Sequence, residues 1–486
     1  MEKTDHKTSR DDAWRVGLRE AMTARERTAI RRAEMPMLDA TYRVSCNEEV
    51  NRGLSAEQAV TEATRCLDCP DPQCVTGCPV GINIPGFIKN IQRKNFAAAA
   101  AVLKDTSALP AVCGRVCPQE KQCESRCIYT KMKKPAVAIG WLERFAADTE
   151  RLSGRRDAVA KAPARGIKVA VAGSGPAGLA FAGDMIKLGY EVTVFEALHE
   201  IGGVLKYGIP EFRLPNAVVD AELDSLRDLG VKFRKDCIIG KTLSYEDLLA
   251  EGYKAVFVAS GAGLPRFMGI PGENLIGVMS SNEYLTRINL MGAGRGGMTP
   301  VARGRRVAVI GGGNTAMDSV RTARRMGAER AMIVYRRSEA EMPARLEEVE
   351  HAKEEGVEFM TLCNPIEYRG DERGNVRSMI VQRMELGEPE PDGRRSPVAI
   401  PGAVDEIEID EVIVSVGVSP NPLIPDSIEG LDVSKRGTIV VNDNMQSSIP
   451  LIFAGGDIVR GGATVILAMG DGRRAAAAMH RYLSGE

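Results

Sequence analysis

Residues 167–197 read IKVAVAGSGPAGLAFAGDMIKLGYEVTVFEA, and this stretch predicts the core of the fold. An apolar run leads into a glycine turn, a helical segment follows, and a glycine precedes a second apolar run. Gly173, Gly175 and Gly178 have G-x-G-x-x-G spacing directly after the first run. Such a turn brings the backbone close to a pyrophosphate and packs the helix against the strand. The stretch therefore predicts a doubly wound α/β domain that binds a dinucleotide.

Glu196 adds a second nucleotide signal to this unit. It lies eighteen residues after Gly178, at the end of the second predicted strand. A carboxylate at that place can accept a hydrogen bond from a ribose hydroxyl. The first helical turn, with Pro176 and Ala177, offers unpaired N–H groups to phosphate. The alternative is a turn that is glycine-rich only for packing, and the strand, the helix and the acid together argue against it.

A second β-α-β unit is predicted at 305–338, RRVAVIGGGNTAMDSVRTARRMGAERAMIVYRRS. Its G-x-G-x-x-A turn supplies the candidate binding residues Gly311, Gly313, Asn314, Thr315 and Ala316. No acid follows the second strand of this unit; Arg336 and Arg337 stand there instead. Guanidinium groups match phosphate geometry with paired donors. The pair predicts NADP(H) rather than NAD(H), and a solvated surface pair is the alternative.

Two such units imply two dinucleotides, one a bound flavin and the other a mobile nicotinamide. The C-terminal stretch 449–476, IPLIFAGGDIVRGGATVILAMGDGRRAA, favours FAD in the first unit. A predicted strand runs into Gly456 and Asp457, and a helix follows near Thr464. The acid can hold a ribityl hydroxyl, and the helix N-terminus can face the flavin ring. An aspartate after a strand is also a common helix cap, so this signal is weak by itself.

Eight of the eleven cysteines form two groups near the N-terminus. The first is RCLDCPDPQCVTGCPVGINIP at 65–85, and the second is CGRVCPQEKQCESRC at 113–127. A helix predicted to begin at Ser55 with a capping box is expected to carry Cys66 and Cys69 at its end. Close spacing with Cys-Pro is typical of iron–sulfur ligation. Structural zinc, which pairs short knuckles across a longer loop, and buried free thiols are the alternatives.

The remaining cysteines are isolated and are expected to be structural thiols: Cys46, Cys237 and Cys363. Between residues 128 and 486 there is no C-x2-C or C-x4-C pair that could act as a dithiol next to the flavin. Electrons that leave the flavin are therefore expected to pass to the clusters. The four histidines form no metal-like grouping, and no acid/base constellation stands out, so no catalytic side chain is predicted.

Length and charge narrow the class of protein. A chain of 486 residues predicts about three domains. The net charge of −1 and the 5% aromatic content give no support to a nucleic-acid partner. The charged N-terminus has no secretory h-region, and no apolar run approaches the length of a membrane span. The expected compartment is the cytoplasm, without a membrane partner.

The change from helical segments to strand–turn–helix segments along the chain predicts where its domains begin and end. A helical iron–sulfur domain is expected at 1–150, followed by a charged linker at 151–166 that lacks periodicity. The FAD-binding domain is expected at 167–300 and 406–486, and the NADPH-binding domain at 301–405 is inserted into it. Both nucleotide-binding domains are predicted to be doubly wound, Rossmann-like parallel sheets.

Taken together, the motifs resemble one known family. The relevant segments are the two cysteine groups, VAGSGPAGLA, GGVLKYGIPEFRLP, VIGGGNTAMD, VYRRSEAEMPA and FAGGDIVRGGATVILAMGDGRRAA. They are similar to the small (β) subunit of NADPH-dependent glutamate synthase over about 40–484. The same module forms the large subunit of NADH-dependent ferredoxin:NADP oxidoreductase, a sulfide dehydrogenase subunit and the N-terminal half of dihydropyrimidine dehydrogenase. The segments 71–88 and 109–123 look closer to the ferredoxin:NADP and homotetrameric glutamate synthase branch.

The resemblance implies a ligand set for two [4Fe–4S] clusters. One cluster would take Cys66, Cys69, Cys74 and Cys127, and the other would take Cys78, Cys117 and Cys123. The fourth ligand of the second cluster is left open between Glu143 and Cys113. The resemblance also adds Gly203 to the FAD-binding residues.

The resemblance also implies a function and a partner. The leading hypothesis is the electron-input subunit of glutamate synthase, which passes electrons from NADPH through FAD and the clusters to a large subunit. The alternative is the bifurcating ferredoxin:NADP subunit, or its sulfide dehydrogenase variant, with a small ferredoxin-reductase-like flavoprotein and possibly ferredoxin as partners. A third hypothesis, a cofactor-bearing structural subunit without turnover, is disfavoured by the intact glycine turns.

Overall fold

The N-terminal part of the chain is helical. The computed structural model describes residues 8–154, 159–391 and 393–485, without the side chain of Arg295. The described residues before 155 contain the helices α1 Ala13–Glu20, α2 Ala24–Ala29, α3 Ala40–Arg43, α4 Ala56–Thr64, α5 Gln73–Thr76, α6 Ile84–Gln92, α7 Phe96–Thr106, α8 Pro110–Val116, α9 Ile128–Lys131 and α10 Ile139–Ser153. The last helix therefore runs into the expected linker, of which residues 155–158 lie outside the described part.

Helix α4 begins as the capping box predicts and ends earlier than expected. The hydroxyl of Ser55 accepts a hydrogen bond from the Gln58 N–H at 3.1 Å, and the Gln58 side chain accepts one from the Ser55 N–H at 2.9 Å. The helix ends at Thr64, so Cys66 and Cys69 lie in the following loop. The expectation that the helix would carry these cysteines was wrong.

Asp68 explains why the cysteine loop leaves the helical path. Its φ of 53° lies in the left-handed region, which a right-handed helix cannot contain. Its carboxylate is fully buried and forms ion pairs with Arg15 and Arg19, the latter at 2.6 Å. The helix α1 that carries these arginines thereby holds the first cysteine loop in place.

The rest of the chain alternates strands and helices. The strands are β1 Lys168–Ala172, β2 Glu191–Phe195, β3 Lys232–Arg234, β4 Tyr253–Val258, β5 Leu264–Pro265, β6 Val278–Ser280, β7 Arg306–Ile310, β8 Arg330–Tyr335, β9 Glu358–Thr361, β10 Cys363–Gly370, β11 Val376–Pro389, β12 Arg395–Glu408, β13 Glu411–Val414, β14 Val418–Ser419 and β15 Ile452–Ala454. The helices are α11 Pro176–Lys187, α12 Val204–Tyr207, α13 Asn216–Asp228, α14 Tyr245–Ala250, α15 Ser281–Leu285, α16 Asn314–Arg325, α17 Leu346–Glu354, α18 Leu423–Ser427, α19 Asp457–Arg460 and α20 Val465–Ser484.

The first parallel sheet has the order β15-β4-β1-β2-β3. Its central strand β1 pairs with β2, Val169 opposite Val192, and with β4, Val169 opposite Ala255. Strand β15 joins the other side of β4 after the chain has passed through the second sheet. The glycine turn after β1 therefore opens at the carboxyl edge of the sheet, where ligands bind in such folds.

The second parallel sheet has the order β6-β13-β7-β8-β9. It includes β6 at Val278–Ser280 and β13 at Glu411–Val414, so it extends beyond the expected segment 301–405 at both ends. These two strands, of three and four residues, are too short to show an alternation of apolar and polar residues in the sequence. A separate antiparallel sheet, β10-β11-β12, extends from this unit as a long hairpin. The α/β architecture with two doubly wound units, one inserted into the other, confirms the predicted fold class.

Small residues and ion pairs join the three units. Helix α20 of the first sheet-containing unit packs on the helical unit, where a Cβ at Gly470 would be 2.9 Å from the Pro79 carbonyl oxygen. The helical unit reaches the second sheet through Arg43, whose Nε lies 2.8 Å from Glu355. Among the described residues, no single helix is long and apolar enough to cross a membrane; α7 and α8 meet the length and composition criteria only as a pair, which is bent by 88°.

Candidate cofactor and redox site

The turn after β1 has the close contacts that a nucleotide-binding turn requires. A Cβ at Gly173 would lie 2.4 Å from the carbonyl oxygen of Ala259, and a Cβ at Gly178 would lie 2.1 Å from the Gly173 carbonyl oxygen. Gly175 has no atom within 4 Å of its own Cβ position. Helix α11 begins at the next residue, Pro176. The open side of the turn and the free N–H groups of the helix therefore face the same space.

Glu196 lies at the end of β2, where the sequence predicts a ribose-binding acid. It is 6% exposed, and its carboxylate accepts hydrogen bonds from the Ser174 N–H at 3.0 Å and the Leu198 N–H at 2.9 Å. The Ser174 hydroxyl also donates to it. These bonds fix the carboxylate beside the glycine turn.

Gly203 and Gly456 border the same turn from two other segments. A Cβ at Gly203 would lie 3.0 Å from the Gly175 Cα, and a Cβ at Gly456 would lie 2.9 Å from the Ala177 Cβ. Gly456 also has a φ of 78°, which a side chain would strain. The structure thus brings together the predicted flavin-binding segments from three distant parts of the chain.

Asp457 and Thr464 lie at the starts of the two helices that follow β15. Burial raises the pKa of Asp457 to about 6, although a hydrogen bond from Ala463 opposes this rise. Thr464 caps α20 by accepting a hydrogen bond from the Leu467 N–H at 3.4 Å. Both residues lie at helix starts beside the predicted flavin-binding segments, Asp457 directly after Gly456 and Thr464 directly before α20.

Two residues near this edge were missed by the sequence analysis. Asp471 is fully buried; it accepts a hydrogen bond from the Gly456 N–H at 3.1 Å and pairs with Arg460 at 2.6 Å. Burial raises the pKa of Tyr207 to about 12, and the negative charges of Asp457 and Glu196 add to this rise. The sequence signal for Asp471 was its position between glycines 470 and 472; Tyr207 had none.

The second glycine turn lines a cleft of about 670 Å³. Its lining includes Gly311, Gly313, Thr315, Arg336 and Arg337, which are all predicted nucleotide-binding residues. A Cβ at Gly311 would lie 2.3 Å from the Ser415 carbonyl oxygen, so this turn also needs its first glycine. Ala316 is buried one turn into α16, where it packs the helix onto the sheet.

The two arginines after β8 differ in their surroundings. Arg336 is exposed at the cleft. Arg337 is 2% exposed; its Nε donates to the Arg395 carbonyl oxygen at 2.7 Å, and its Nη2 pairs with Glu390. Arg337 therefore holds the β11–β12 hairpin, whereas Arg336 is available to a ligand. Arg394 of that hairpin also lines the cleft, which the sequence analysis did not predict.

The described cysteines are all free thiols. The first predicted ligand set comes together in space: burial raises the pKa of Cys69 and of Cys74, and the thiols of Cys66 and Cys127 raise both further. Cys127 is part of one hydrophobic core, and Cys66 and Cys74 pack against that same core. Residues 66–74 and Cys127, which are far apart in sequence, thus form one group of four thiols.

The second predicted set also comes together. Burial raises the pKa of Cys78 to about 11 and that of Cys123 well above its usual value, and the Glu143 carboxylate raises both further. A hydrogen bond with Cys113 and burial raise the pKa of Cys117. Among the described residues, no three His, Cys, Asp or Glu side chains stand close enough to hold a single metal ion. A [4Fe–4S] cluster requires ligand atoms that lie farther apart than those around a single ion, because each ligand binds a different iron.

Glu143 is the residue in this group whose carboxylate most clearly lacks a bonding partner. It is 6% exposed, and its Oε1 has no hydrogen-bond partner in the described part of the chain. Burial raises its pKa to about 8, and the carboxylate of Glu222 contributes. The competing candidate, Cys113, lies with its Sγ 3.4 Å from the Met469 Sδ. An unsatisfied buried carboxylate among three thiols fits the place of a cluster ligand.

The isolated cysteines stand apart from these groups in the fold. Cys237 follows β3 and is buried, and Cys46 is half-buried after α3. Cys363 begins β10 and lines the nucleotide cleft, with its Sγ 3.3 Å from an Arg383 nitrogen. Their roles as structural thiols stay a prediction.

Two family models match the chain. The model described as "Dihydroprymidine dehydrogenase domain II, 4Fe-4S cluster" matches residues 43–155, and the model described as "Pyridine nucleotide-disulphide oxidoreductase" matches residues 167–472. The first match implies a [4Fe–4S] cluster in the helical unit. The second implies FAD and a nicotinamide dinucleotide in the two sheet-containing units.

Relatives and solved structures agree with these matches. The chain is 37% identical to the glutamate synthase [NADPH] small chain of Halomonas elongata over 90% of this chain and 93% of that protein. It is 35% identical to NADPH-Fe(3+) oxidoreductase subunit beta of Geobacter sulfurreducens over 94% of this chain and 70% of that one.

The fold of the two sheet-containing units also has solved counterparts. Mycobacterium tuberculosis FprA in complex with NADPH matches with a TM-score of 0.56 and 21% identity, over 66% of this chain and 85% of that one. At this identity the likeness concerns the fold alone. The extensive sequence matches show that this chain belongs to the glutamate synthase small-chain family of NADPH-dependent flavin and iron–sulfur oxidoreductases.

Proposed function

We propose that this protein is the electron-input subunit of a glutamate synthase, which takes electrons from NADPH and delivers them through FAD and two [4Fe–4S] clusters to a partner subunit. The position of α20 is the observation that carries the proposal. Gly472 packs on Ala177 in the flavin-binding turn, and a Cβ at Gly470 would lie 2.9 Å from the Pro79 carbonyl oxygen beside Cys78. One short stretch of helix therefore contacts both the flavin cradle and the cysteine loop.

The NADPH site needs binding groups and no catalytic acid or base. The turn at 311–313 and the N-terminus of α16 receive the pyrophosphate. Arg336, exposed at the cleft, is proposed to pair with the 2′-phosphate. Hydride transfer to a flavin requires orientation rather than proton transfer by the protein. This accounts for the lack of a predicted catalytic side chain.

The flavin site is proposed to be built from the turn at 173–178, Gly203 and the start of α20. Glu196 is positioned for a ribose hydroxyl, and Asp457 for a ribityl hydroxyl. When bound, FAD exchanges electron pairs with a nicotinamide and single electrons with iron–sulfur clusters. These residues would hold the flavin at the carboxyl edge of the first parallel sheet.

Two clusters are proposed because the thiols form two separate groups. The first group, of four cysteines, completes one ligand set. The second group has three cysteines, and Glu143 with its unpartnered oxygen is proposed as the fourth ligand. The free state of the described cysteines supports a reducing compartment, and we propose the cytoplasm.

A partner subunit is expected because the relatives are named as small chains or β subunits. The match to the small chain of glutamate synthase extends over 93% of that protein, which supports a glutamate synthase large subunit as the partner. The second candidate function for this chain is that of the large subunit of ferredoxin:NADP oxidoreductase, whose partner would be a small ferredoxin-reductase-like flavoprotein. The cysteine segments 71–88 and 109–123, which resemble that branch, favour it.

The test is anaerobic copurification of the chain from its native host, with the bound partner identified by mass. A large amidotransferase-type subunit supports the glutamate synthase role. A small ferredoxin-reductase-like flavoprotein would overturn it in favour of the second candidate. The fully loaded protein should also oxidise NADPH with a viologen dye as acceptor, and failure there would favour a structural subunit.

A further inference from the structure

Residues 343–346, here called the bridge segment, form part of the wall of the nucleotide cleft. Pro343 lines the cleft. The backbone N–H of Arg345 donates to the Oδ1 of Asn314 at 2.9 Å. Asn314 is the first residue of α16, directly after the glycine turn. The bridge segment is therefore tied to the turn that is proposed to bind the pyrophosphate.

The other side of the bridge segment is bonded to residues 115–121, the ligand loop, which contains Cys117. The Arg345 guanidinium makes two bonds to it: Nη1 donates to the Arg115 carbonyl oxygen at 2.7 Å, and Nη2 donates to the Gln119 Oε1 at 3.0 Å. Arg115 and Gln119 are each two residues from Cys117. One residue, through its backbone N–H and its guanidinium, thus connects the turn proposed to bind NADPH with the loop of the proposed cluster ligand.

Further bonds strengthen the same contact. The Nζ of Lys121 donates to the carbonyl oxygens of Pro343 and Ala344, both at 3.0 Å. The Leu346 N–H donates to the Oε1 of Glu120 at 3.3 Å. The contact therefore consists of bonds from both segments, and Arg345 is its buried centre.

Arg345 brings a positive charge into this buried region. It is 4% exposed, and only one ion pair shorter than 3 Å is described for it, with Glu347 at 2.8 Å. Its Nε has no hydrogen-bond partner among the described residues, and the nearest carboxylate oxygen recorded for it is 3.8 Å away, on Glu120. The two bonds to Arg115 and Gln119 keep this charge next to the loop that contains Cys117.

We propose that Arg345 is a positioning residue that holds the NADPH-binding turn against the ligand loop and, through its charge, makes the second cluster easier to reduce. Reduction adds a negative charge to a cluster, and a buried cation nearby stabilises that charge strongly because the local dielectric constant is low. The inference rests on the proposed function, since it requires NADPH and the cluster at these two sites.

The experiment is an EPR-monitored redox titration of the fully loaded protein. Arg345→Gln should move the midpoint potential of one cluster to a more negative value by about 59 mV, which is tenfold in a one-electron equilibrium. The other cluster should keep its potential. Arg345→Lys, which retains the charge, should restore most of the difference.

A second variant separates positioning from charge. Gln119→Leu keeps the guanidinium and removes one of its acceptors. It should weaken NADP⁺ binding by about two- to tenfold, as the loss of one hydrogen bond predicts, and leave both potentials unchanged. If Arg345→Gln does not fold, Arg345→Lys and Gln119→Leu still decide the positioning role through NADP⁺ affinity.

Arg325→Gln is the matched control. Arg325 is equally buried and pairs with Glu355 at 2.7 Å, and its described bonds do not reach the ligand loop. The inference would be overturned if Arg345→Gln left the midpoint potentials of both clusters unchanged. It would also be overturned if Arg325→Gln shifted a cluster potential by the same amount as Arg345→Gln. A wild-type protein with full iron and flavin that does not oxidise NADPH would refute the proposed function instead, so the two failures are distinguishable.

Discussion

Glu143 shows at the scale of one residue how burial points to function. An ionised carboxylate without a partner is costly inside a protein, and the usual response is a raised pKa. Glu143 has that raised pKa, about 8, and an oxygen with no hydrogen-bond partner in the described structure. A positively charged iron site would satisfy this oxygen and return the carboxylate to its charged form.

Replacement of Glu143 by alanine should therefore change the EPR spectrum of one cluster and lower the iron content by up to about half, because one of the two proposed four-iron clusters would lose its proposed ligand. Replacement of Cys113 by alanine is the control. It should leave both clusters assembled, with at most a small shift of one EPR signal, because Cys113 contacts Met469 and hydrogen-bonds Cys117 and is not itself the proposed iron ligand. The opposite result would identify Cys113 as the fourth ligand.

Arg336 and Arg337 should give different results although they are neighbours. Arg336→Ala should raise the KM for NADPH by about tenfold or more and leave that for NADH unchanged, because a charged hydrogen bond to the 2′-phosphate is lost. Arg337→Ala should instead lower the melting temperature, because its bonds to Glu390 and the Arg395 backbone hold the hairpin. Equal effects of the two variants on NADPH preference would contradict this division.

At the scale of elements, the glycine turn can be tested with two substitutions. Gly178→Ala places a Cβ 2.1 Å from a backbone oxygen and should destabilise the fold by about 1–3 kcal/mol through overpacking. Gly175→Ala meets no atom within 4 Å, so it should fold normally and retain less FAD. Thermal melting and flavin content check both outcomes. A stable Gly178→Ala protein would show that the helix can shift away from the strand.

Strand β13 carries a buried acid that should make stability depend on pH. Glu411 is 1% exposed, and burial raises its pKa to about 7, although the Gly304 N–H donates to it at 2.7 Å. Because the pKa of Glu411 in the folded protein lies above the ordinary value of 4.5, the fold favours the protonated carboxyl. The contribution of Glu411 to stability is fully present below pH 4.5 and is lost as the pH rises through 7.

Glu411→Gln should remove that loss, since glutamine cannot ionise. The rise from 4.5 to about 7 corresponds to about 3 kcal/mol, so the variant should be more stable than the wild type at pH 8 by up to this amount. The difference should nearly vanish at pH 4, where the carboxyl is mostly protonated in both the folded and the unfolded state. Melting curves at both pH values check this, and a constant difference would exclude Glu411 as the cause.

At the scale of the whole molecule, buried ion pairs link the helical unit to the nucleotide-binding units. Arg321 is 1% exposed and pairs with Glu348 and Glu355, the latter at 2.8 Å. Glu355 also pairs with Arg43 of the helical unit. The nucleotide-binding unit is thereby attached to the unit with the cysteines by charges that water does not screen.

Arg321→Met should lower the free energy of unfolding by about 3 kcal/mol, because it removes one buried cationic partner from both Glu348 and Glu355. Arg305→Met should cost less than about 1 kcal/mol, because its pair with Glu329 is exposed. Denaturant unfolding followed by flavin fluorescence compares them. Similar losses in the two variants would show that the buried pairs contribute little.

The sequence by itself determined the local features, because these depend on residues close together in the chain. The strand–turn–helix pattern at 167–197 and 305–338 predicted both nucleotide-binding units, and tight turns with close backbone approach can be formed there only by glycine. Cysteine spacing together with the resemblance predicted the two groups. The capping box at Ser55 predicted where α4 begins. Local propensity could not predict the path of the loop after α4, because the buried charge of Asp68 in that loop pairs with arginines from α1.

Only the tertiary structure decided which distant residues meet. Short strands such as β6 and β13 show no period, so their place in the second sheet depends on pairing with β7 and on each other. Arg337 and Arg336 have the same chemistry in sequence, and burial against the hairpin separates their roles. Tyr207, Asp471 and Arg345 gain importance from partners that lie far away in the chain. Burial and desolvation act through space, and a sequence pattern records only neighbours along the chain.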